Sequence, residues 1–584
     1  MGKRIVKCWA GAVVAIGVLS VPFFISGCRL VAKEPARIVH KGPGTSFDLQ
    51  GFIDHALAAG QKRIVVPPGR YRVKPQRQCH LRLRDLQDVE VMAMDVEMVC
   101  TETTLALNID NCRNLALRGL TIDYDPLPFT QGRIVAMAPD KAWLEFEIID
   151  GYPENLEMRI EIFDQRTELL KVNTRYDWGP FQSLGNHRYR VSRGSGHRFD
   201  PNKDLEEVGD ILVTNSSTAP GGQAGHAIVT SNSQKVVLED IRLYASNCFS
   251  YLEHDCDGNT YRRCSIDRRP LAEDLRSRGL RRLRSSNADA FHSKHAIRGP
   301  QIISCTAKYQ GDDCVNICGE YYMVMGSSQN KIRMLSHRNS NISVGDSVEL
   351  VSYTGERLAD AKVVAIEADG KVKPEEQTFL KAQHMNQGTK EVLSKPNTDA
   401  WTLTLDRAVD LPMGSVVAST RHTGNGFLVK DCDFGFNRSR GILIKGSNGQ
   451  VIGNRLTGCW MASVLVAPEW WWLESGSSSD LVIADNQITD CRATAIEVVA
   501  RGGTGALAPS GAHKNIAIRN NTILNSPLPT IYVSSTDRLV ISGNQFKPLD
   551  PSLSRFRWGE KKPVAIVTEA CSQTEVQPEG NNTL

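Results

Sequence analysis

Two segments, Ile452-Gly453-Asn454-Arg455-Leu456 and Ala484-Asp485-Asn486-Gln487-Ile488, share one pattern, in which an asparagine precedes an apolar residue by two positions. The pattern returns in Arg519-Asn520-Asn521-Thr522-Ile523 and Ser542-Gly543-Asn544-Gln545-Phe546. Equivalent asparagines are 32 residues apart between positions 454 and 486, and 23 apart between positions 521 and 544. Repeats of about 22–25 residues, interrupted by longer turns, are typical of a parallel β-helix. We expect the asparagines to stack as an internal ladder, since Asn also tolerates the left-handed backbone of a tight corner.

The repeat extends upstream with other residues at the asparagine position. Its earlier members are residues 117–122, 238–243, 261–266, 302–307 and 429–434. Cysteines recur in two columns, one with Cys264, Cys305 and Cys432 and one with Cys459 and Cys491. We therefore expect them to be small buried hydrophobic residues rather than disulfides. No cysteine spacing is that of a zinc site, so neither a metal nor a cofactor is predicted.

The start of the repeat predicts a cap. Residues 52–59 have a helical pattern, and residues 64–71 combine a strand with a Pro-Pro-Gly turn. This order resembles the opening of pectin-lyase-like right-handed parallel β-helices, in which a helix covers the end of the solenoid. Such a cover prevents the open sheet end from aggregating.

Two stretches interrupt the repeat with short alternating strands, and we interpret them as small inserted β-barrels. The predicted fold is all-β, a right-handed parallel β-helix with two inserted small β-barrel domains. The predicted divisions are 1–28 (lipoprotein signal peptide), 36–122 (cap and first coils), 123–225 (first barrel), 226–325 (coils with the acidic segments), 326–422 (second barrel), 423–547 (C-terminal coils) and 548–584 (tail).

The N-terminus predicts export. Lys3, Arg4 and Lys7 precede an apolar stretch at 10–24, and Ile25-Ser26-Gly27-Cys28 resembles a bacterial lipobox whose cysteine, Cys28, is lipidated. A plain signal peptide or a membrane anchor is the alternative. We expect an exported protein that is lipid-anchored to a bacterial membrane, at the outer membrane or the cell surface. The net charge of +4 over 584 residues predicts no nucleic-acid partner.

Three carboxylates lie in two short segments, Asn287-Ala288-Asp289-Ala290-Phe291-His292 and Gly311-Asp312-Asp313-Cys314-Val315-Asn316-Ile317. Asp289 and Asp313 are 24 residues apart, so they fall in one column on neighbouring rungs about 4.8 Å apart. Strict strand alternation would turn Asp312 and Asp313 to opposite faces. A patch shared by all three acids therefore requires a bend or bulge there.

Three adjacent acids favour proton-transfer chemistry. Their mutual repulsion should raise at least one pKa and leave a protonated acid beside ionised neighbours. General acid–base catalysis uses this division, and an inverting glycosidase places acid and base about 6.5–9.5 Å apart around a water. A solvated acidic edge or a calcium site would use the same residues.

The two acidic segments look like the active-site segments of glycoside hydrolase family 28, the polygalacturonases. That resemblance implies that Asp312 is the general acid and that Asp289 and Asp313 activate the attacking water. The chain departs from the family downstream, since no Gly-His-Gly segment follows. The basic pair that grips a uronate is matched only loosely by Arg440 and Lys445.

The whole arrangement resembles glycoside hydrolase family 110, the exported bacterial α-1,3-galactosidases. Those enzymes look like a β-helix with two inserted barrels and the same aspartate triad, and they invert configuration without a metal. The resemblance implies an exo-acting hydrolase of terminal α-1,3-linked galactose, as on blood-group-B-type or linear α-Gal glycans. The implied partner is an oligosaccharide or glycoconjugate with terminal galactose.

Several other residues are predicted to bind substrate. They are His292 and Arg440 in the acid column, Glu253 and Asp255 one rung earlier, and Glu469, Trp470 and Trp471 in a long turn. A tryptophan can offer a flat face to a galactose ring, although packing of the turn on its own solenoid would also explain it. The segment at 253–255 is alternatively a polar loop.

Other functions remain open from the sequence. A polygalacturonase-like hydrolase or a lyase of another polysaccharide would share the β-helix, and so would a non-catalytic glycan-binding surface protein. A lyase usually needs calcium and an Arg or Lys base. The sequence does not fix the oligomeric state.

Overall fold

The computed structural model describes residues 42, 44–157, 159–171, 178–194, 197–200, 204–215, 225–273, 281–336, 340–549, 564–577 and 582–583. Three long parallel sheets wind into a β-helix, and two small antiparallel sheets are inserted, which confirms the predicted fold class. The predicted signal peptide and Cys28 lie outside the described residues. Within the described ranges, no helix has the length and apolar character needed to cross a bilayer.

The three sheets are named A, B and C. Sheet A contains, in spatial order, Thr45–Ser46, Gly69–Val73, Val96–Cys100, Thr121–Tyr124, Arg242–Leu243, Ser265–Ile266, Thr306–Lys308, Asp433–Gly435, Arg455–Thr457, Gln487–Thr489, Thr522–Ser526, Gln545–Pro548 and Asn582–Thr583. Sheet B contains Arg63–Val65, Glu90–Met92, Ala116–Arg118, Val237–Glu239, Thr260–Arg262, Gln301–Ile303, Leu428–Lys430, Gln450–Ile452, Ser479–Ala484, His513–Arg519, Thr536–Ser542 and Ser572–Val576. Sheet C contains Cys79–Arg84, Leu105–Asp110, Ile228–Ser231, Tyr251–His254, Phe291–Lys294, Val315–Cys318, Ile442–Ile444, Val464–Val466, Ile496–Val498, Ile531–Ser534 and Ile566–Glu569.

The asparagine ladder forms in the predicted register. The side-chain oxygen of Asn486 accepts from the backbone N–H of Asn454 at 2.9 Å and from its amide at 3.0 Å. Asn486 in turn donates to Asn521, and Asn521 to Asn544. All four side chains are buried, so each amide satisfies backbone groups that water cannot reach. The cysteines in the described part of the chain are free thiols, as predicted.

Replacing Asn486 by leucine should destabilise the protein. The change would leave the N–H of Asn454 and the carbonyl of Val451 buried without their present partner. Each such group costs about 1–3 kcal/mol. Denaturant unfolding should show this loss, whereas Gln487→Ala at the exposed neighbouring position should have little effect. Equal stability of the two variants would contradict a structural role for the ladder.

The N-terminal cap is a helix, Leu49–Ala58, that covers the first coils. Its N-cap residue Asp48 accepts from the N–H of Gly51 at 2.9 Å. Leu49, Ile53 and Ala56 are buried and belong to the apolar core that runs through the solenoid. The helix therefore closes the end of the core, as the sequence predicted.

The two insertions differ in closure. The first is a six-stranded sheet with the order Ile160–Phe163, Ile211–Asn215, Phe129–Met137, Trp143–Ile148, Arg188–Ser192 and Phe181–Gly185, and it is not closed into a barrel within the described residues. The second is a closed barrel of Tyr322–Ser328, Lys331–Ser336, Asp399–Leu405, Ala361–Lys371, Ser347–Val351 and Val416–Ser419. The second insertion also carries two helices, Pro374–Ala382 and Gln387–Leu393, and a short 3₁₀ helix, Leu271–Glu273, lies in the solenoid part of the chain.

Candidate active site

Strand pairing in sheet C places the acids in one column. Phe291 pairs with Val315, and Val315 pairs with Ile442. Asp289, Asp313 and Arg440 each lie two residues before these positions, so the predicted alignment of the three is confirmed. The backbone N–H of Asp313 also donates to Asp289 Oδ1 at 3.3 Å, which ties the two rungs together.

A bend brings Asp312 to the same patch. Residues 311 and 312 lie in a bend before the strand Val315–Cys318, so strand alternation does not apply to them. One carboxylate oxygen from each of Asp289, Asp312 and Asp313 lies within 4.8 Å of the others. Asp289 and Asp313 are buried, whereas the Asp312 side chain is 25% exposed. Asp312 is therefore the acid that a ligand reaches first.

The separation of the acids does not select a stereochemical course. Ordinary inverting pairs stand about 6.5–9.5 Å apart and retaining pairs about 5–5.5 Å apart. The nearest oxygens here are closer than either range, within 4.8 Å.

His292 supports Asp289 directly. Its Nδ1 lies 2.7 Å from Asp289 Oδ2, and its ring stacks on Phe249 with centroids 4.5 Å apart. The ring points to the outer face of sheet C, as predicted, but it is only 6% exposed. Burial alone would lower its pKa, yet the hydrogen bond to Asp289 and the contact with Cys318 raise the pKa of His292 to about 10.

A buried chain of paired charges continues from Asp313 along the outer face of sheet C. Arg440 donates through its backbone N–H to Asp313 at 2.8 Å, and its guanidinium lies 3.2 Å from both Asp313 and Glu469. Lys445, with no exposed side-chain surface, lies 3.0 Å from Glu469 and 2.8 Å from Glu474. Asn316 bonds to Lys445 and Glu474. Every charge in this chain therefore has a partner of opposite sign.

Asp312 has its own cationic partners. Arg438 Nη2 lies 2.8 Å from Asp312 Oδ2, and Arg159 of the first insertion lies 4.0 Å from the same oxygen. Although burial acts to raise it, Arg438, Arg159 and Arg440 hold the pKa of Asp312 below its ordinary value.

The other two acids shift the opposite way. Burial raises the pKa of Asp313 to about 8, with Asp289 and Asp312 adding to the rise and Arg440 opposing it. Burial also raises the pKa of Asp289, against the hydrogen bond from His292. Near neutral pH the triad therefore holds a proton on its buried members while Asp312 is ionised. The expected division of protonation is present, but the resting proton is not on the residue predicted to be the acid.

These shifts predict a pH dependence of stability. Folded Asp313 keeps its proton up to a pKa of about 8 instead of 3.8, and folded His292 up to about 10 instead of 6.5. Between the unfolded and the folded pKa of each group, the folded protein binds more protons than the unfolded one. These groups therefore make the free energy of unfolding fall as pH rises. The slope is at most about 1.4 kcal/mol per pH unit for each group.

The comparison that checks this is Asp313→Asn, which mimics the protonated acid. Between pH 5 and 9, the melting temperature of the variant should fall less steeply with rising pH than that of the wild type. Identical slopes would show that Asp313 is already ionised at the lower pH.

Among the residues that the structure describes, two groups of side chains have the geometry to hold a metal ion, the aspartate triad and His292 with Cys318 and Glu474. In the triad, arginines contact Asp312 and Asp313, and His292 contacts Asp289. In the second group, Lys445 lies 2.8 Å from Glu474. A divalent cation would therefore have to displace a cation already in place at either group.

One predicted substrate residue is wrongly placed. Glu253 is 1% exposed and accepts hydrogen bonds from Asn259, Tyr261 and Ser293 inside the solenoid. It alternates with the outer residues of its strand, Tyr251–His254, and so points inwards. Glu253 is a buried structural residue, and the prediction that it contacts substrate is wrong.

Asp255 lies at the other end of the strand from the triad. It follows Tyr251–His254, whereas Asp289 is in register with residue 249 of that coil, six residues earlier, which separates the two by about 20 Å along the strand direction. Its carboxylate is held by His254 at 3.0 Å and His295 at 3.6 Å. A substrate contact by Asp255 stays a prediction.

The tryptophans pack against the second insertion. The Trp470 ring lies 6.2 Å from Tyr321 and 6.1 Å from Tyr353, and Trp471 lies 4.8 Å from His384. These contacts attach the turn at 467–478 to the second insertion, in addition to its contacts with the solenoid through Glu469 and Glu474. Both tryptophans are half-buried, and a sugar contact by Trp470 or Trp471 stays a prediction.

The same turn supplies the carboxylates of the charged chain. The backbones of Glu469 and Glu474 pair across it at 3.0 and 3.1 Å, which directs both side chains towards Lys445. Glu469 lies next to Arg440, and its predicted contact with substrate stays a prediction. Lys445, Glu474, Arg438 and Arg159 were not among the predicted site residues. The sequence indicated only Lys445, as part of the loose match to a uronate-binding basic pair, and it follows Ile442–Ile444 at an outward position.

Comparisons with known proteins agree with this architecture. A family model described as "Right handed beta helix region" matches residues 416–547. The chain is 22% identical to an alpha-1,3-galactosidase B of Bacteroides thetaiotaomicron over 499 residues, which cover 79% of this chain and 74% of the relative.

Solved structures give weaker similarities. The catalytic domain of a GH87 alpha-1,3-glucanase aligns with a TM-score of 0.41 at 9% identity, over 94% of this chain and 70% of the other. The A-module of a mannuronan C-5 epimerase of Azotobacter vinelandii aligns with a TM-score of 0.38 at 12% identity, over 91% and 94%.

Proposed function

We propose that this protein is an exo-acting, inverting glycoside hydrolase that removes terminal α-1,3-linked galactose from glycans such as blood-group-B-type or linear α-Gal structures. The observation that carries the proposal is the cluster of three carboxylates with divided protonation on the outer side of the solenoid. The similarity to an alpha-1,3-galactosidase over most of the chain supports the substrate.

The proposed chemistry uses Asp312 as the acid and the buried pair as the base. Asp312 protonates the glycosidic oxygen, and the C1–O bond breaks. Asp289 and Asp313 orient a water and accept its proton as its oxygen bonds to C1. Attack from the face opposite the leaving group converts an α-linkage into β-galactose. The products are the free sugar and the alcohol of the remaining glycan.

The proton for this step belongs to the triad as a unit. Three carboxyl groups this close titrate together, so the proton is not bound to one member alone. It rests on the buried pair in the free protein, and a neutral sugar oxygen that approaches the exposed Asp312 favours its transfer there. Asp312 is suited to the role because it is the only member with a substantial exposed fraction, 25%.

The paired charges favour a neutral sugar. A uronate carboxylate needs a cation that is free to bind it, but Arg440 and Lys445 are both engaged by Glu469. A galactose ring presents hydroxyl groups, which can share hydrogen bonds with charged pairs without separating them. This supports a galactoside over a polygalacturonan.

The same pairing weighs against a lyase. A lyase base must lose its proton, and burial would help Lys445 to do so. Glu469 and Glu474 outweigh that effect and raise the pKa of Lys445 above its ordinary value. The ammonium stays charged, so Lys445 is a poor base. The triad chemistry likewise needs no metal, and a chelator should leave the activity intact.

The deciding experiment is a screen of α-1,3-, α-1,4- and α-1,6-linked galactosides with polygalacturonan as a control. We expect cleavage of the α-1,3 linkage, with β-galactose as the first product in proton NMR. First release of α-galactose would exclude inversion, and unsaturated uronates would indicate a lyase. A non-catalytic glycan-binding protein would bind the glycans without releasing galactose, and Asp312→Asn would leave that binding intact.

We also propose that the protein is exported and anchored through lipidated Cys28. The N-terminal motif supports this, and a glycan-trimming enzyme would meet its substrates outside the cytoplasm. Mass spectrometry of the membrane fraction should find a lipidated Cys28 at the mature N-terminus. Cys28→Ala should abolish that product, and wild-type protein recovered without lipid would contradict the anchor.

A further inference from the structure

We propose that the first insertion completes the active site, with Glu161 as a positioning residue that holds Arg438 against Asp312. The inference rests on the proposed function, because it assigns the insertion a part in the proton transfer by Asp312. The insertion would then be a working part of the hydrolase rather than an appended domain.

The contact is direct and buried. Glu161 lies on the edge strand of the inserted sheet, Ile160–Phe163, and is 4% exposed. Its carboxylate is 3.2 Å from Arg438 Nε and also contacts the guanidinium of Arg284. The other end of the Arg438 guanidinium lies 2.8 Å from Asp312. One arginine therefore joins the insertion to the predicted acid.

The residue before this strand reinforces the connection. Arg159 Nη2 donates to the carbonyl of Gly311 at 3.0 Å and lies 4.0 Å from Asp312. Arg438 also donates to the carbonyl of Gly311. Both arginines thus hold the bend that turns Asp312 towards the patch, and the insertion provides one of them.

The charges around Asp312 show what Glu161 does. The cations that face Asp312 are Arg438, Arg159 and Arg440, and the facing acids are Asp289 and Asp313. Glu161 contributes the negative charge on the far side of Arg438, and it also neutralises the fully buried Arg284. Without Glu161, the excess positive charge would act on the triad and make its proton easier to lose.

The variant that tests this is Glu161→Gln, which keeps the shape and removes the charge. We expect the basic limb of the kcat/KM profile to move down by about one pH unit, within the range that a neighbouring charge produces. Activity above the wild-type optimum should fall about tenfold, with KM nearly unchanged. Glu161→Asp, which keeps the charge, should restore part of the wild-type profile.

Glu145→Gln is the matched control. Glu145 belongs to the same inserted sheet, is 6% exposed and also pairs with two arginines, Arg188 and Arg190. We expect no shift of its pH profile. If Glu161→Gln loses kcat and melting temperature together at an unchanged pH profile, or behaves as the wild type, Glu161 is structural only and the proposal fails.

A second measurement separates this inference from the proposed function. Carbon-13 NMR of aspartate carboxyl groups, assigned with Asp312→Asn, follows the titration without any substrate. A lower pKa of Asp312 in Glu161→Gln than in the wild type supports the inference, even if the wild type cleaves no galactoside. An unchanged titration in a protein that does cleave galactosides overturns the inference and leaves the proposed function standing.

Discussion

Replacing Asp312 by asparagine should reduce kcat on an unactivated α-1,3-galactoside by about a thousandfold to ten-thousandfold, the usual range for a lost proton donor. The amide keeps the shape of the side chain but has no proton to give to the leaving oxygen. The fold should survive because Arg438 keeps Glu161 as an anionic partner. Steady-state kinetics and the melting temperature, measured on the same preparation, check both halves of this expectation.

The leaving group then identifies the role of each acid. The leaving group of an aryl galactoside with an acidic phenol needs little protonation. On this substrate the Asp312→Asn variant should therefore regain most of the wild-type rate. Asp313→Asn should gain nothing from that substrate, because its defect lies in water activation. Azide should rescue Asp313→Asn instead, with formation of β-galactosyl azide.

Asp431→Asn, at an exposed corner of the solenoid, serves as the control for the substitution itself and should match the wild type. If the aryl galactoside restored the rate of Asp313→Asn and not that of Asp312→Asn, Asp313 would be the acid and Asp312 would belong to the base. That outcome would agree with the resting proton on Asp313.

Replacing Lys445 by methionine should have the largest effect on stability, about 3–5 kcal/mol. The ammonium is fully buried and pairs with Glu469 and Glu474, whose side chains are only 20% and 14% exposed, so its removal takes the cation from two largely buried carboxylates. Galactoside cleavage should also be lost, since Glu469 would no longer hold Arg440 in place beside Asp313. Denaturant unfolding and activity measure the two effects.

A double variant shows whether the loss comes from uncompensated charge. Lys445→Met combined with Glu474→Gln should regain part of the stability, because one of the two carboxylates left without a cation then carries no charge. Lys430→Met, on the exposed side of sheet B, is the matched control and should be nearly neutral. A single variant as stable as the control would mean that Lys445 contributes no net stabilisation.

The sequence predicted the column of acids because a coil imposes its own register. Once Phe291, Val315 and Ile442 are aligned as inward residues, the positions of Asp289, Asp313 and Arg440 follow from counting two residues back. The same counting would have corrected the prediction for Glu253. It stands two residues after the inward Tyr251 and must share its face.

The rest of the site could not be predicted from the sequence, for a different reason. Glu161 meets Arg438 across more than two hundred residues of sequence, through an inserted sheet whose strand order no local pattern gives. The protonation of Asp312 depends on these distant arginines, so the ionised state of the acid could not be predicted from the triad alone. That the first insertion is not closed into a barrel within its described residues was likewise not predictable from its alternating strands.

The asparagine ladder has an evolutionary consequence. From Asn454 to Asn486 the chain takes 32 residues, against 23 from Asn521 to Asn544, and the longer step contains the turn with Glu469 and Glu474. The ladder bonds hold the coils whatever the length of the turn between them. Natural selection can therefore exchange the residues beside the acids by changing this one turn, while Asp289, Asp312 and Asp313 stay on coils that the change leaves untouched. Under the proposed function, new sugar preferences could arise on this scaffold without a new fold.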